Sequence, residues 1–463
     1  MFKKLSILKK IYFIIFDFIF CLLKLNKRNN KIKNKQIVIW IAETGSRDFF
    51  PRLAQALSLW EEYKIPSLVI HKHYLKQLGK NILSNSVVVD KSATRSCIRR
   101  LRYAKLNGSF NMVIPEELLI CDRSERLIKG VLHPHTIKYI NAVISNSNEI
   151  KNYLKKKDNT IKNINLINPR LSLPLIERNC KFIEKPINKV KEDSSYKYIL
   201  INDKLSLKFS SYENEVELIK NNIFKGTNVN AKEYLEKFMM KEKKEEKLLI
   251  DCIKMIRKEK LFNKFKIIIR PHPAVNVQKY KNYFKSKLKT SLNYSIIRKG
   301  TVVEWMKSAS FVFHSNCTSA IEGYFQGIEN IYNFSSEYRE GTSYQFMDIL
   351  EPLGLEGAIN KAKENYLKLN KKSIKSSSNN KSFNKKNIYQ YLGEEMKINR
   401  SKFCLDNSLV NKFRNAKIIE FSASDRWKDA EQRIEYINKN KSKFEDIQLE
   451  SLGTIGVQIG KIY

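Results

Sequence analysis

The sequence predicts an α/β protein built from two successive parallel-sheet units. Three observations predict it. Short apolar runs alternate with stretches of helical spacing, as expected of strands buried on both faces between crossover helices. The series stops in a polar, Lys-rich connection near residues 175–195 and then starts again. In the second series, two strand ends carry polar clusters where open parallel sheets receive ligands, beyond the carboxyl ends of their strands.

The first strand is Gln36–Ile41, followed by Glu43-Thr44-Gly45-Ser46-Arg47-Asp48 and a helical apolar pattern from Phe50 to Trp60. Ser67–Ile70, Asn111–Pro115 and Ala142–Ser145 continue the strands, and the first unit closes on Asn168-Pro169-Arg170. Tyr196–Asn202 opens the second unit. A charged helix is predicted over Ala231–Lys258, then strands at Ile267, Phe311 and Asn330–Tyr332. From about Asn370 to Lys386 the composition collapses to Lys, Ser and Asn, the signature of a flexible loop. The helix-forming stretch around Arg426–Asn440 is predicted to pack back onto one of the units. The expected organisation is a basic amphipathic helix over 1–30, the first unit over 31–180, the second over 190–365, the loop over 366–390 and a helical tail over 391–463.

The 463-residue chain is long enough for several domains, and its 86 Lys+Arg against 47 Asp+Glu give a formal charge of +39. Such an excess favours anionic partners. The surplus is mostly Lys, in a chain also rich in Asn and Ile and dispersed along its length, so a large share reads as compositional bias. Dispersed basic residues also argue against a nucleic-acid partner, which calls for basic and aromatic residues gathered on one face. The seven cysteines are scattered with no CxxC pair, so neither a disulfide framework nor a zinc site is indicated. A cytoplasmic location fits this best.

Ile11–Leu23 is apolar apart from Asp17 and is flanked by Lys3, Lys4, Lys9, Lys10, Lys24, Lys27 and Arg28. It is shorter than the roughly 20 apolar residues of a spanning helix and lacks a small-residue cleavage site. A helix lying in the anionic membrane interface is expected, with a signal anchor as the alternative.

Four segments could carry chemistry. In Lys266–Pro273, a buried strand ends in Arg270 and His272: a permanent cation able to grip phosphate with two donors, and a side chain able to protonate a departing phosphate. In Phe311–Glu322, a strand passes through Ser315, Asn316, Thr318 and Ser319 into a helix. If Thr318 or Ser319 caps that helix, hydroxyls and free N–H groups converge on one point, with Glu322 one turn in and able to accept from two ribose hydroxyls. Glu116 and Glu117 follow a strand directly and point to different sides, so one could act as a general base. Glu43, Arg47 and Asp48 follow the first strand and could shape an acceptor pocket. His71, His73, His133 and His135 have no evident partner and read as structural. No Gly-rich phosphate loop, HExxH or Asp-x-Asp clamp is present, so no metal and no cofactor is expected, and positive groups and dipoles would neutralise a leaving phosphate.

These residues carry a resemblance. Two Rossmann-like units across a cleft resemble the GT-B architecture of nucleotide-sugar glycosyltransferases, and Arg270-Pro271-His272-Pro273 with Asn316–Glu322 resembles the bacterial surface carbohydrate biosynthesis proteins. Glu43, Arg47-Asp48-Phe49 and Asn168-Pro169-Arg170 match that pattern too, over about residues 36–335. The set is also similar to bacterial sialyltransferases and Kdo transferases, with Glu116-Glu117 as the acidic pair, His272-Pro273 as the HP motif and Thr318-Ser319 as the hydroxyl pair; Leu118 stands where their glycine would be. HP and Thr-Ser occur in CDP-glycerol glycerophosphotransferases as well.

The resemblance implies a membrane-associated, metal-independent glycosyltransferase taking a nucleotide sugar, CMP-activated by preference, to a lipid-linked or cell-surface glycan. Arg270, His272, Ser315, Asn316, Thr318, Ser319 and Glu322 would hold the donor; Glu43, Arg47 and Asp48 would line the acceptor side; Glu116 or Glu117 would take the acceptor proton. A polyol-phosphate transferase, a nucleotide-sugar epimerase and a basic nucleic-acid-binding or scaffold protein are the alternatives.

Overall fold

The chain is described from a computed structural model, covering residues 31–116, 125–145, 147–166, 168–171, 197–205, 208–209, 231–272, 275–288, 292–298, 300–337, 349, 351–371, 386–396 and short stretches between 430 and 459. The expected interfacial helix over 1–30, the hinge near 175–195, Glu117 and Leu118 lie outside the described residues.

The first sheet is built on β1 (Ile37–Ala42), β2 (Ser67–His71), β3 (Ser86–Asp90), β4 (Phe110–Val113), β5 (Ala142–Ile144) and β6 (Lys162–Ile164), parallel and in the order β2-β1-β3-β4-β5-β6. The second contains β7 (Tyr198–Asn202), β8 (Lys266–Arg270), β9 (Tyr294–Ile296), β10 (Phe311–His314) and β11 (Ile331–Asn333), all parallel, in the order β11-β10-β7-β8-β9. These are two doubly wound α/β units. In each, the strand order reverses beside the first strand, at β1/β3 and at β7/β10, which is where such sheets open a crevice.

The strands read as unbroken apolar runs because both faces are covered. Along β1, Val38 and Trp40 enter one core while Ile37, Ile39 and Ile41 enter the other. Along β7, Ile199 and Ile201 part in the same way from Tyr198 and Leu200. The helix Phe50–Tyr63 starts with Pro51 in its first turn and stops at Lys64, which takes left-handed φ of 56° and donates its N–H to the Trp60 carbonyl. The helix Val302–Ser308 opens with a capping box between Thr301 and Glu304.

The tail departs from expectation in part. A helix over Ile388–Glu395 packs on Phe50–Tyr63, tied by the Tyr389 N–H to Gln55 Oε1 at 3.0 Å, and Ala430 and Ile434 are buried in the same core. Beyond them the chain forms strands rather than helix: β12 (Leu449–Ser451) and β13 (Gly456–Ile459) make an antiparallel hairpin, and β13 pairs antiparallel with the edge of β2. Val457 and Ile459 supply the alternating apolar face that fits there. The helix Gly354–Lys371 also runs past residue 366, where the loop was expected to begin. Among the described residues no helix is long and apolar enough to cross a membrane.

Candidate functional site

In the second unit, the carboxyl ends of three adjacent strands are tied together. The Asp203 N–H, just past β7, donates to the Arg270 carbonyl at the end of β8 (3.0 Å), and Asn202 Nδ2 donates to Ser319 Oγ beyond β10 (3.1 Å). This brings Arg270, His272 and the 315–319 turn to one edge of one sheet, as expected from the sequence. The turn is rigid. Asn316 sits in the left-handed region (φ 50°), where Asn is tolerated, and locks to β11: its N–H donates to Asn333 Oδ1 (3.1 Å), its Oδ1 accepts from Asn333 Nδ2 (2.9 Å) and its Nδ2 donates to Ser335 Oγ (2.8 Å).

His314 fixes the same turn. Its Nε2 lies 2.8 Å from the Ile349 carbonyl and its Nδ1 accepts from the Cys317 N–H (3.2 Å). Burial lowers its pKa to about 4, so the ring is neutral at neutral pH and carries its proton on Nε2.

Several expected donor residues are already engaged. Arg270 lies over the Trp305 ring at 5.8 Å, and its Nη2 donates to the carbonyls of Arg298 (3.2 Å) and Gly300 (2.8 Å). That buried guanidinium is taken up by two backbone carbonyls rather than standing open as a phosphate clamp. Asn316 is spent on the turn. Glu322 is buried against the Arg170 guanidinium, not open to solvent as a ribose acceptor. The capping expectation fails as well: the helix Ser319–Phe325 has seven residues, and Thr318 takes a helical conformation (φ −61°, ψ −24°) with no side-chain cap. Its hydroxyl is therefore released from the backbone, and among the described residues neither that hydroxyl nor the N–H groups of Thr318 and Ser319 have a hydrogen-bond partner.

The first unit is more heavily paired. Glu43, just beyond β1, is gripped by Lys72 (2.6 Å) and Lys91. Burial opposes its charge, but the two lysines outweigh that and hold its carboxyl well below the ordinary value. Asp48 is fully buried. It accepts from the Thr44 N–H (3.2 Å) and Arg47 Nε (2.9 Å); burial again opposes its charge, and Arg47, Lys91 and Arg52 outweigh it and depress the pKa. Neither is a base near neutral pH.

Glu116, expected with Glu117 as a candidate general base, is enclosed in a buried ion pair. It is 1 % exposed and paired with the equally buried Arg52 at 2.6 Å, and Arg52 Nη1 also donates to the Asp48 carbonyl (2.9 Å). Burial raises its pKa, with Arg52 opposing. A proton acceptor needs access to the proton it removes, which Glu116 lacks.

With this geometry in place, comparison with known proteins gives structural likeness alone. No protein-family model matches the chain, and no curated protein sequence matches it significantly. Among solved structures, the UDP-GlcNAc 2-epimerase of Methanocaldococcus jannaschii, in complex with UDP-GlcNAc and UDP, is similar at 16% identity and a TM-score of 0.43, over 77% of this chain and 97% of that one. The Rickettsia bellii UDP-N-acetylglucosamine 2-epimerase is similar at 12% identity and a TM-score of 0.39, over 88% and 99%. The Neisseria meningitidis enzyme bound to UDP-GlcNAc reaches 14% and 0.35, over 61% and 77%. At such scores the fold rests on the strand orders above.

Three residues that matter were missed in the sequence. Asp203 and Lys204 directly follow β7, and Glu245 reaches Lys204 from the helix Ala231–Lys258. Asp203 accepts from the Tyr280 hydroxyl (2.7 Å) and the Leu205 N–H (3.0 Å); burial raises its pKa to about 6 against those bonds. Their signal was positional: polar residues at the end of the first strand of a doubly wound unit. Among the described residues no group of three or more His, Cys, Asp or Glu side chains could hold a metal ion.

Proposed function

We propose that the chain is a glycosyltransferase that binds a nucleotide-activated sugar, CMP-linked by preference, at the carboxyl edge of β7, β8 and β10, and passes the sugar to a lipid-linked or surface glycan. The observation that carries the reading is the 315–319 turn. It is locked by Asn316 and His314 yet leaves the Thr318 hydroxyl and two N–H groups without a partner among the described residues, at the strand-order reversal of the second sheet. Rigid donors without protein acceptors suit an anionic group whose charge grows as a bond breaks. His272, after β8, would meet the departing phosphate, with Ser315 and Ser319 orienting the turn. Glu117 would take the acceptor proton, since Glu116 is buried, and Glu43, Arg47 and Asp48 would form the floor of the acceptor side through Lys72 and Lys91. A basic N-terminal helix would hold the enzyme at the anionic membrane face, beside its acceptor.

Calorimetric titration of the protein lacking residues 1–30 with CMP, CDP, UDP and GDP, alongside His272→Ala, tests the reading. CMP binding that weakens at least about tenfold in the variant is expected, as for loss of a charge-assisted phosphate contact. Binding of UDP alone would keep a nucleotide site and overturn the CMP preference. Binding of no nucleotide would overturn the reading.

A further inference from the structure

Glu245 lies partly exposed on the helix Ala231–Lys258, and its carboxylate joins two loops of the candidate site. One oxygen is 2.8 Å from Lys204 Nζ at the end of β7, and the other accepts from Ser315 Oγ at 2.5 Å at the end of β10. β7 and β10 are the adjacent strands at which the order of the second sheet reverses. A carboxylate thus sits between an ammonium group and a hydroxyl of the turn whose Thr318 hydroxyl and N–H have no partner among the described residues. A phosphate oxygen entering that crevice would call on the same two groups, because both are donors suited to a compact anion.

We infer that Glu245 is an internal anion occupying the phosphate position, holding Lys204 and Ser315 ready, and that a ligand phosphate displaces it. The inference rests on the nucleotide-site reading above and deepens it by naming the cation, Lys204, and the group it must leave. Displacement is feasible because the Lys204 and Glu245 side chains are 29% and 21% exposed, so the carboxylate can turn to water as the ammonium turns to phosphate. No bond is made or broken; one anion replaces another. Glu245 thereby lowers affinity for every phosphate-bearing ligand while keeping Lys204 from collapsing onto other acceptors. A nucleoside, which has no phosphate, would not sense it.

The test uses the full chain as wild type, Glu245→Gln, Lys204→Met and the double variant, titrated with CMP, UDP, cytidine and inorganic phosphate. Gln keeps the shape and the hydrogen-bonding oxygen but removes the charge. Glu245→Gln is expected to tighten the nucleotide that binds by about tenfold, the scale of one charge-assisted contact, and to leave cytidine unchanged. In the Lys204→Met background the gain should shrink to less than about twofold, because the cation for which carboxylate and phosphate compete is gone. A gain of equal size in both backgrounds would mean that Glu245 only repels anions at a distance, and would overturn the inference. So would unchanged or weaker nucleotide binding in Glu245→Gln while wild type binds normally, a result that leaves the nucleotide reading standing. A response to inorganic phosphate as large as that to nucleotide supports displacement and assigns the pocket to phosphate itself. Loss of all binding in every form overturns both readings together.

Discussion

Asp203 and Glu116 are both buried carboxyls at strand ends, yet their surroundings set them different tasks. Glu116 meets a guanidinium in a dry interior and stays locked to it. Asp203 has no such cation among the described residues; it meets a tyrosine hydroxyl and the backbone N–H groups of Leu205 and Lys204, too little to offset burial, and its pKa rises from 3.8 to about 6. A carboxyl whose pKa is higher folded than unfolded binds its proton more tightly in the folded chain. Its stabilising contribution is therefore full below about pH 4 and is lost as pH rises through about 6, by roughly 3 kcal/mol in all at 1.36 kcal/mol per unit. Asp203→Asn, which keeps an acceptor for Tyr280 and removes the titration, should flatten that segment of the curve. Urea denaturation of both proteins between pH 4 and 7 reads it: the stability gap should shift toward the variant by about 3 kcal/mol as pH rises. A constant gap would show that Asp203 ionises at its ordinary value.

At the scale of elements, the helix Ser319–Phe325 is held against its neighbours by the absence of a side chain. A methyl group at Gly323 would lie 2.3 Å from Met306 Cε and 2.8 Å from Ile331 Cδ1. Both atoms end flexible side chains, but both sit in one packed core, so room for one is taken from the other. Gly323→Ala is predicted to cost about 1–3 kcal/mol by overpacking, and Met306→Ala in the same chain should restore part of it; paired chemical denaturation curves check both. The same scale separates what could be read from sequence from what could not. Strands β1, β2, β7, β8 and β10 were legible because burial on both faces leaves short, almost unbroken apolar runs. β6 and β9 were not: they are three-residue edge strands with Lys162, Asn163 and Ser295 among them, too short and polar to differ from loop. β3 was missed although Val87-Val88-Val89 carries the signal. The β12–β13 hairpin was hidden because pairing with a distant edge strand leaves no local trace. For the site, residue types pointed to the right strand ends, whereas occupancy was invisible: nothing near Arg270 in sequence reveals that Arg298 and Gly300 claim it, or near Glu322 that Arg170 does.

Across the whole molecule, the segment Asn168–Leu171, which follows β6 in the chain, is pinned to the second sheet. Leu171 is buried with Tyr198, Leu200 and Ile321 in the core of that sheet, while Arg170 grips Glu322 on the helix that leaves the candidate phosphate turn. The Arg170 guanidinium also acts on Glu116 in the first unit, lowering its proton affinity against the larger effect of burial. Arg170 therefore pairs with a buried carboxylate of the second unit and acts electrostatically on one of the first, and the segment 168–171 is held by charge as well as by packing. Removing one partner of a buried pair strands the other: Arg170→Met should destabilise the protein by about 3–5 kcal/mol, whereas Arg170→Met with Glu322→Met, which leaves no stranded charge, should recover most of it. If the Arg170–Glu322 pair holds residues 168–171 on the second sheet, the single variant should also show a larger radius of gyration by small-angle scattering, and the double variant should not. Equal destabilisation in both variants would assign the loss to the remaining contacts of Arg170 and leave the ion pair no part in holding the segment 168–171.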